Sequence, residues 1–78
     1  MREKEKKVVV TFRTTSEAIA METRCLEEKV PGRLIPVPRE ISAGCGLSWA
    51  MPADWDRDIG QWMKESGLRW EAYGEYFI

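Results

Sequence analysis

The sequence predicts an α+β domain, because short β-branched and aromatic runs alternate along the chain with two segments of helical period. The predicted order is strand, helix, strand, strand, helix, strand. A continuous apolar run suits a central strand, and a run marked by two prolines suits a sheet edge. This order is that of the ferredoxin-like βαββαβ fold, in which a four-stranded antiparallel sheet carries two helices on one face.

Length and charge restrict the class of protein. With 78 residues the chain is the size of one domain, which we expect to span residues 8–78 after a charged N-terminal tail at residues 1–7. The net charge of -1 argues against a nucleic-acid-binding protein, which usually carries a basic face. The sequence contains no apolar run long enough to span a membrane and no N-terminal export signal, so we expect a cytoplasmic protein.

The first strand is predicted at Val8–Arg13, "VVVTFR", and the first helix follows it directly. Thr14 and Glu17 have the spacing of a capping box at the start of this helix. Its buried face is expected to contain four apolar residues, and the "PG" dipeptide at 31–32 is expected to end it. The four residues are Ala18, Met21, Cys25 and Leu26.

The second strand is predicted at Arg33–Pro38, "RLIPVP". Pro36 and Pro38 lack an amide hydrogen, and residues i and i+2 of a strand point their amides to the same side. One side of this strand therefore cannot donate hydrogen bonds at two neighbouring points, which predicts a position at the sheet edge. A third strand is predicted at Gly46–Met51, with Leu47, Trp49 and Met51 on one face.

The second helix is predicted to begin at a cap on Asp54, with Asp56 and Asp58 near its positively polarised start. Trp55, Ile59, Trp62 and Met63 would form its apolar stripe. Gly67 is expected at its C-terminal cap, and Gly60 inside the helix is expected to cost about 1 kcal/mol relative to alanine. The remaining residues, from Leu68 to the end, predict a fourth strand, in which Gly74 indicates a bulge or a bend.

The candidate chemical site is the connection between the second and third strands, "REISAGC" from Arg39 to Cys45. Gly44 and Gly46 allow positive φ on both sides of Cys45 and could turn backbone amides towards its sulfur atom. Ser42 could add a hydrogen-bond donor and Arg39 a positive charge, whereas Glu40 opposes that charge. The alternative interpretation of the same spacing is a small residue in a tight turn, with glycines required by backbone geometry alone.

Other sites are weaker candidates. Cys25 lies on the predicted apolar stripe, where a free cysteine packs as a small hydrophobic residue. The chain has no histidine and only two cysteines, so it cannot form a four-ligand zinc site from cysteine and histidine, and we expect no metal and no cofactor. Phe12 and Trp49 could stack RNA bases on the sheet, but the acidic pI of about 5.5 argues against this use.

The segment "RLIPVPREISAGCG" resembles a small bacterial family of selenium and sulfur carrier-like proteins, a domain of unknown function. The resemblance rests on an Arg-x-x-Pro-x-Pro-Arg segment leading to Ser-x-x-Cys-Gly, and it extends from about Val8 to Tyr76. It implies that Cys45 is the carrier cysteine, supported by Arg39, Ser42 and Gly46. Serine-like residues often precede the cysteine in this family, whereas this chain has Ala43 and Gly44 there.

The resemblance implies a sulfur or selenium carrier that holds a persulfide- or selenide-type adduct on Cys45. Its partners would be donor and acceptor proteins, which supply the chemistry, so we expect a carrier rather than a turnover enzyme. Nucleic acid and membranes are not expected partners, and the sheet edges are compatible with a homodimer. The alternative is a ligand-binding or protein-interaction module of the same fold, in which Cys45 is structural.

Overall fold

The computed structural model describes residues 5–39, 41 and 46–78. Within them the chain forms four antiparallel strands and two helices, in the sheet order β2-β3-β1-β4. The elements are β1 (Lys6–Thr11), α1 (Thr15–Glu28), β2 (Arg33–Pro36), β3 (Leu47–Pro52), α2 (Ile59–Glu65) and β4 (Ala72–Phe77). The predicted βαββαβ arrangement, with the first and third strands at the centre, is confirmed.

Both helices pack on the same face of the sheet. Alternate residues of β1 and β3, continued by Phe12, form one cluster with the inner faces of α1 and α2, which places the hydrophobic core between the two layers. The sheet contributes Val10, Phe12, Trp49 and Met51, and the helices contribute Ala18, Met21, Cys25, Ile59, Trp62 and Met63.

The edge position predicted for the proline-marked strand is confirmed. The Val37 amide donates to the Gly46 carbonyl oxygen at 3.1 Å. Because amides alternate in direction along a strand, those of residues 36 and 38 would point away from β3, towards the free edge. Pro36 and Pro38 therefore lack amide hydrogens on the side of β2 where the described part of the chain has no partner strand. The strand ends at Pro36, two residues before its predicted end.

The start of α1 is as predicted, but its end is not. The Thr14 hydroxyl accepts from the Glu17 amide at 3.2 Å, and the Glu17 carboxylate accepts from the Arg13 amide at 2.9 Å. The helix stops at Glu28, before the predicted "PG" dipeptide, because Lys29 adopts the left-handed conformation with φ 58°. The helix therefore ends at a residue with a side chain where glycine is more usual.

The predicted burial of Leu26 is wrong. Its side chain is 73% exposed, whereas Ala18, Met21 and Cys25 are fully buried. These three residues lie three and four positions apart, so they form one line along the helix that faces the sheet. Leu26 follows Cys25 directly and is turned by about 100° from it, towards solvent.

The second helix begins later than predicted. Asp58, not Asp54, is its cap, and the Asp58 carboxylate accepts from the Gln61 amide at 3.1 Å. Trp55 precedes the helix and packs edge-to-face against Trp62, with ring centroids 6.0 Å apart. Trp55, the apolar residue that predicted an earlier start of α2, therefore lies in the connection between β3 and α2.

Gly67 ends α2 as predicted. It has φ 73°, and its amide donates to the Lys64 carbonyl oxygen at 3.2 Å. The Leu68 amide donates to the Met63 carbonyl oxygen at 3.0 Å, which completes a Schellman motif. The positive φ of this position explains why glycine occupies it.

The first and last strands of the chain differ from the prediction. β1 begins at Lys6, two residues before the predicted start, and Glu5 exchanges two backbone hydrogen bonds with Ile78. β4 begins only at Ala72, and its pairing with β1 is continuous through Gly74, so the predicted bulge is absent. A side chain at Gly60 of α2 would collide with the hydroxyl group of Tyr73 in β4, which gives this helical glycine a packing role.

Candidate functional site

Three connections of the chain lie at one end of the strands, because β1 and β2 end there and β3 and β4 begin there. Thr11 pairs with both Ser48 and Ala72, and Pro36 pairs with Leu47. The start of α1 lies at the same end, directly after β1. We call this part of the molecule the loop edge and define it by the described residues 12–14, 37–39, 41, 46 and 66–71.

The candidate residues of the sequence analysis belong to the β2–β3 connection. Arg39 is exposed, and Gly46 is exposed directly before β3. Ser42, Gly44 and Cys45 lie outside the described residues, so the proposed cradle of amides around the sulfur atom stays a prediction.

The described residues on both sides of this segment are held by backbone hydrogen bonds. The Ile41 amide donates to the Pro38 carbonyl oxygen at 3.0 Å, shortly after the end of β2. Gly46 has φ 78°, and a Cβ atom built on it would meet nothing within 4 Å. Glycine is therefore required at position 46 by its backbone conformation and not by crowding.

Each connection of the loop edge carries one exposed arginine: Arg13, Arg39 and Arg69. Among the described residues, none of their guanidinium groups takes part in an ion pair. The acidic residues of the same connections are Glu40 and Glu71. The Glu17 carboxylate, which accepts from the Arg13 amide, lies at the same place, so the three arginines are matched by three acidic residues. The positive end of the α1 dipole adds a partial positive charge there.

Sequence reasoning identified Arg39 but missed Arg13 and Arg69. The predicted topology contained the signal, because in a βαββαβ fold the β1–α1, β2–β3 and α2–β4 connections share one edge of the sheet. The three residues are separated by 26 and 30 positions in the chain. They meet only after the order of the strands is applied.

Cys25, the second cysteine, is a core residue, as predicted. Its side chain is fully buried. Burial, with a smaller contribution from the negative charge of Glu28, raises the pKa of its thiol from 9.0 to about 12. Because the thiolate is the nucleophilic form of cysteine, a buried thiol that stays protonated is poorly suited to sulfur exchange.

The carboxylate of Glu28 joins the two helices beside Cys25. One of its oxygens accepts from the indole Nε1 of Trp62 at 3.2 Å, and the other is 2.6 Å from Nε of Arg24. The indole donor of Trp62 is thereby satisfied although its ring is buried. The hydrogen bond between Glu28 and Trp62 therefore holds α1 and α2 together beside Cys25.

The aromatic residues of the sheet are not available to stack RNA bases, and the described acidic residues do not form a metal site. Phe12 and Trp49 are buried in the core between sheet and helices, so neither can stack an RNA base. Asp58 is committed to the cap of α2. Within the described residues no group of three or more histidine, cysteine or acidic side chains could hold a metal ion.

An open depression of about 670 Å³ lies at the other end of the strands, away from Gly46. Its lining includes Lys6, Asp54 and Glu75, at the start of β1, after β3 and in β4. The six residues of β3 separate the two ends of the sheet by about 17 Å. The depression is therefore separate from the loop edge.

The fold and the loop edge define a small ferredoxin-like α+β domain whose candidate chemistry lies in one connection between strands. The chain belongs to the family described as "Putative Se/S carrier protein-like", whose model matches residues 7–74. This confirms the resemblance inferred from the proline and cysteine motif. No curated protein and no solved structure matches the chain. No helix in the described part of the chain is long and apolar enough to cross a membrane.

Proposed function

We propose that the protein carries sulfur or selenium between partner proteins as a persulfide- or selenide-type adduct on Cys45. The observation that carries this proposal is the family match, which extends over Cys45 together with Arg39 and Gly46. The family's name denotes carriage of these elements, and a carrier needs one accessible sulfur nucleophile.

The chemistry is an exchange of one sulfur–sulfur bond for another. The Cys45 thiolate attacks the outer sulfur atom of a persulfide on the donor, so a new bond forms to Cys45 and the donor thiolate leaves. No external oxidant or reductant is required, because one persulfide is consumed and one is formed. Attack by an acceptor thiolate on the outer sulfur of Cys45 reverses the process, and selenium in the outer position would follow the same route.

Two features of the described residues support Cys45 over Cys25 as the carrier. The buried Cys25 has a thiol pKa raised to about 12, which keeps it protonated near neutral pH. Gly46, the residue after Cys45, is exposed at the loop edge, where the arginines form no ion pair with another described residue. Positive charge at this edge would stabilise a thiolate or a persulfide anion relative to its neutral form.

The test is intact-mass spectrometry after incubation with a cysteine desulfurase and cysteine. Wild-type protein should gain the mass of one sulfur atom, and the gain should be lost in Cys45→Ser. Cys25→Ala is the matched control and should load as the wild type does. Absence of any added mass on wild-type protein, or equal loading of Cys45→Ser, would falsify the proposal.

A further inference from the structure

The outer side of β4 has unpaired backbone groups. Glu5 and Ile78 exchange both of their backbone hydrogen bonds, and such pairs alternate with non-bonded pairs along an antiparallel ladder. The amides and carbonyls of residues 74 and 76 therefore point towards β1. Those of Tyr73, Glu75 and Phe77 point outwards, where the described part of the chain has no further strand.

The same strand has exposed aromatic side chains on the face that carries the helices. Tyr73 is 45% exposed and Phe77 is 63% exposed. They lie four positions apart, with Glu75 midway between them and on the same face. An edge strand that is long, free of proline and flanked by exposed aromatics is suited to pairing with another strand.

We propose that β4 pairs with β4 of a second copy of this chain, antiparallel and centred on Glu75, to form a continuous eight-stranded sheet. In this register Glu75 lies opposite Glu75 of the partner subunit, and Tyr73 lies opposite the partner's Phe77. All three outward-pointing residues then form hydrogen-bonded pairs. The two aromatic residues of each copy become cross-strand neighbours, an arrangement that stabilises antiparallel pairs.

The charges at the centre of this interface are balanced within each subunit. Glu75 lies 2.9 Å from Nζ of Lys6 in the same chain. Two carboxylates would face each other across the two-fold axis, but each would keep its lysine on the side away from the axis. This contact is neutral over the two chains together.

The opposite edge of the sheet is built differently. β2 has four residues, and Pro36 and Pro38 remove amides from its free side, a common protection against pairing between sheets. β4 has six residues and no proline. The asymmetry between the edges indicates that β4 is the edge available for a second copy.

The dimer goes beyond the proposed function and does not depend on it. Antiparallel pairing of the two β4 strands puts the loop edges of the subunits at opposite ends of the joined sheet. Donor and acceptor proteins would then reach the Cys45 of each subunit independently. A variant that prevents pairing should still load sulfur, so the failure of one proposal can be told apart from failure of the other.

The first test is sedimentation of the full chain over a range of concentrations. Wild-type protein should change from monomer to dimer as concentration rises, and Phe77→Lys should weaken dimerisation at least about tenfold, because a buried aromatic contact is replaced by a charge. Leu26→Lys is the matched control: it puts the same residue at an exposed apolar site on α1 and should leave dimerisation unchanged. A monomer at every concentration, or equal weakening by both variants, would overturn the proposal.

The second test fixes the register of pairing. Residues opposite each other in a hydrogen-bonded antiparallel pair have Cα atoms about 5.5 Å apart, within the range of a disulfide. In a Cys45→Ser background, Glu75→Cys should therefore form an intermolecular disulfide on mild oxidation, and Leu26→Cys should not. Equal crosslinking of the two variants would contradict the register even if a dimer exists.

Discussion

At the scale of single residues, Gly32 lies close against the backbone and a buried side chain of β3. Its φ is 134°, and a Cβ atom built on it would lie 2.6 Å from the Ala50 carbonyl oxygen and 2.8 Å from the Trp49 indole. Neither neighbour can move easily, because one is strand backbone and the other is a fully buried ring. The connection from α1 to β2 thus passes close over the central strand β3.

We predict that Gly32→Ala lowers the free energy of unfolding by about 2–4 kcal/mol, since it combines overpacking with backbone strain. Gly67→Ala is the matched control, because Gly67 also has positive φ but a Cβ there would meet nothing within 4 Å. That variant should lose only about 1 kcal/mol. Urea unfolding of the two variants checks the difference, and equal losses would show that crowding at Gly32 is unimportant.

The buried thiol of Cys25 should make the free energy of unfolding depend on pH. Its thiol pKa is raised from 9.0 to about 12 in the folded protein, so above pH 9 the unfolded chain releases a proton that the folded protein keeps. The stabilising preference for the neutral thiol is complete below pH 9 and is lost as the pH rises towards 12. The expected loss is about 1.4 kcal/mol for each pH unit in this range.

Denaturant unfolding at several pH values measures this loss directly. The difference between wild-type protein and Cys25→Ala should be constant below pH 9 and should shrink above it, because alanine has no proton to release. A difference that stays constant up to pH 11 would show that the thiol is not held in its neutral form.

At the scale of elements, the end of α1 is strained at a residue with a side chain. Lys29 adopts φ 58°, a conformation that favours glycine. We predict that Lys29→Gly raises the free energy of unfolding by about 0.5–1 kcal/mol, because relief of this strain exceeds the added freedom of the unfolded chain. Thermal unfolding should show a midpoint higher by a few degrees.

The control for this change is Ala20→Gly, at an exposed position inside the same helix. It should lower the free energy of unfolding by about 1 kcal/mol, since a helical φ gives glycine no advantage. Destabilisation by both substitutions would contradict the role assigned to Lys29.

Local signals in the sequence predicted several features that depend on backbone chemistry, although the cap at Asp54 and the end of α1 at the "PG" dipeptide were wrong. The prolines at 36 and 38, the Thr14 cap and Gly67 each act through a missing amide, a capping oxygen or a positive φ, and each was predicted correctly. Features that depend on tertiary packing were not predictable in this way. Leu26 fits the apolar period of α1, but the line of Ala18, Met21 and Cys25 determines which side faces the sheet.

At the scale of the whole molecule, the loop edge combines charges from distant parts of the chain. Adjacent strands are about 4.8 Å apart, so the connections that carry Arg13 and Arg69 lie within roughly 10–15 Å of the β2–β3 connection. Charges at such distances act weakly through water but in the same direction. Together they should favour the thiolate of Cys45.

We predict that the double variant Arg13→Gln, Arg69→Gln slows alkylation of Cys45 by a neutral reagent at pH 7 about two- to fourfold at low salt. High salt should remove the difference, because it screens the charges. Arg33→Gln, on β2 away from the loop edge, is the control and should react as the wild type does. An unchanged rate in the double variant would exclude an electrostatic role for Arg13 and Arg69.

The sequence predicted that the candidate site lies in a connection between strands, but it did not predict all of the charged residues near that connection. The motif from Arg33 to Gly46 is local and could be recognised directly. The contributions of Arg13 and Arg69 depend on the strand order, which brings three connections together at one edge. The free side of β4 depends likewise on the complete sheet, because no local pattern states which strand lacks a neighbour.

The proposed function requires that Cys45 carries the transferred atom. Its most direct test is to load the protein with a cysteine desulfurase and cysteine, cap all thiols and persulfides with an alkylating reagent, and locate the added sulfur in peptides. We expect the added sulfur in the peptide that contains Cys45 and not in the one that contains Cys25. Added sulfur on Cys25, or on neither cysteine, would contradict it.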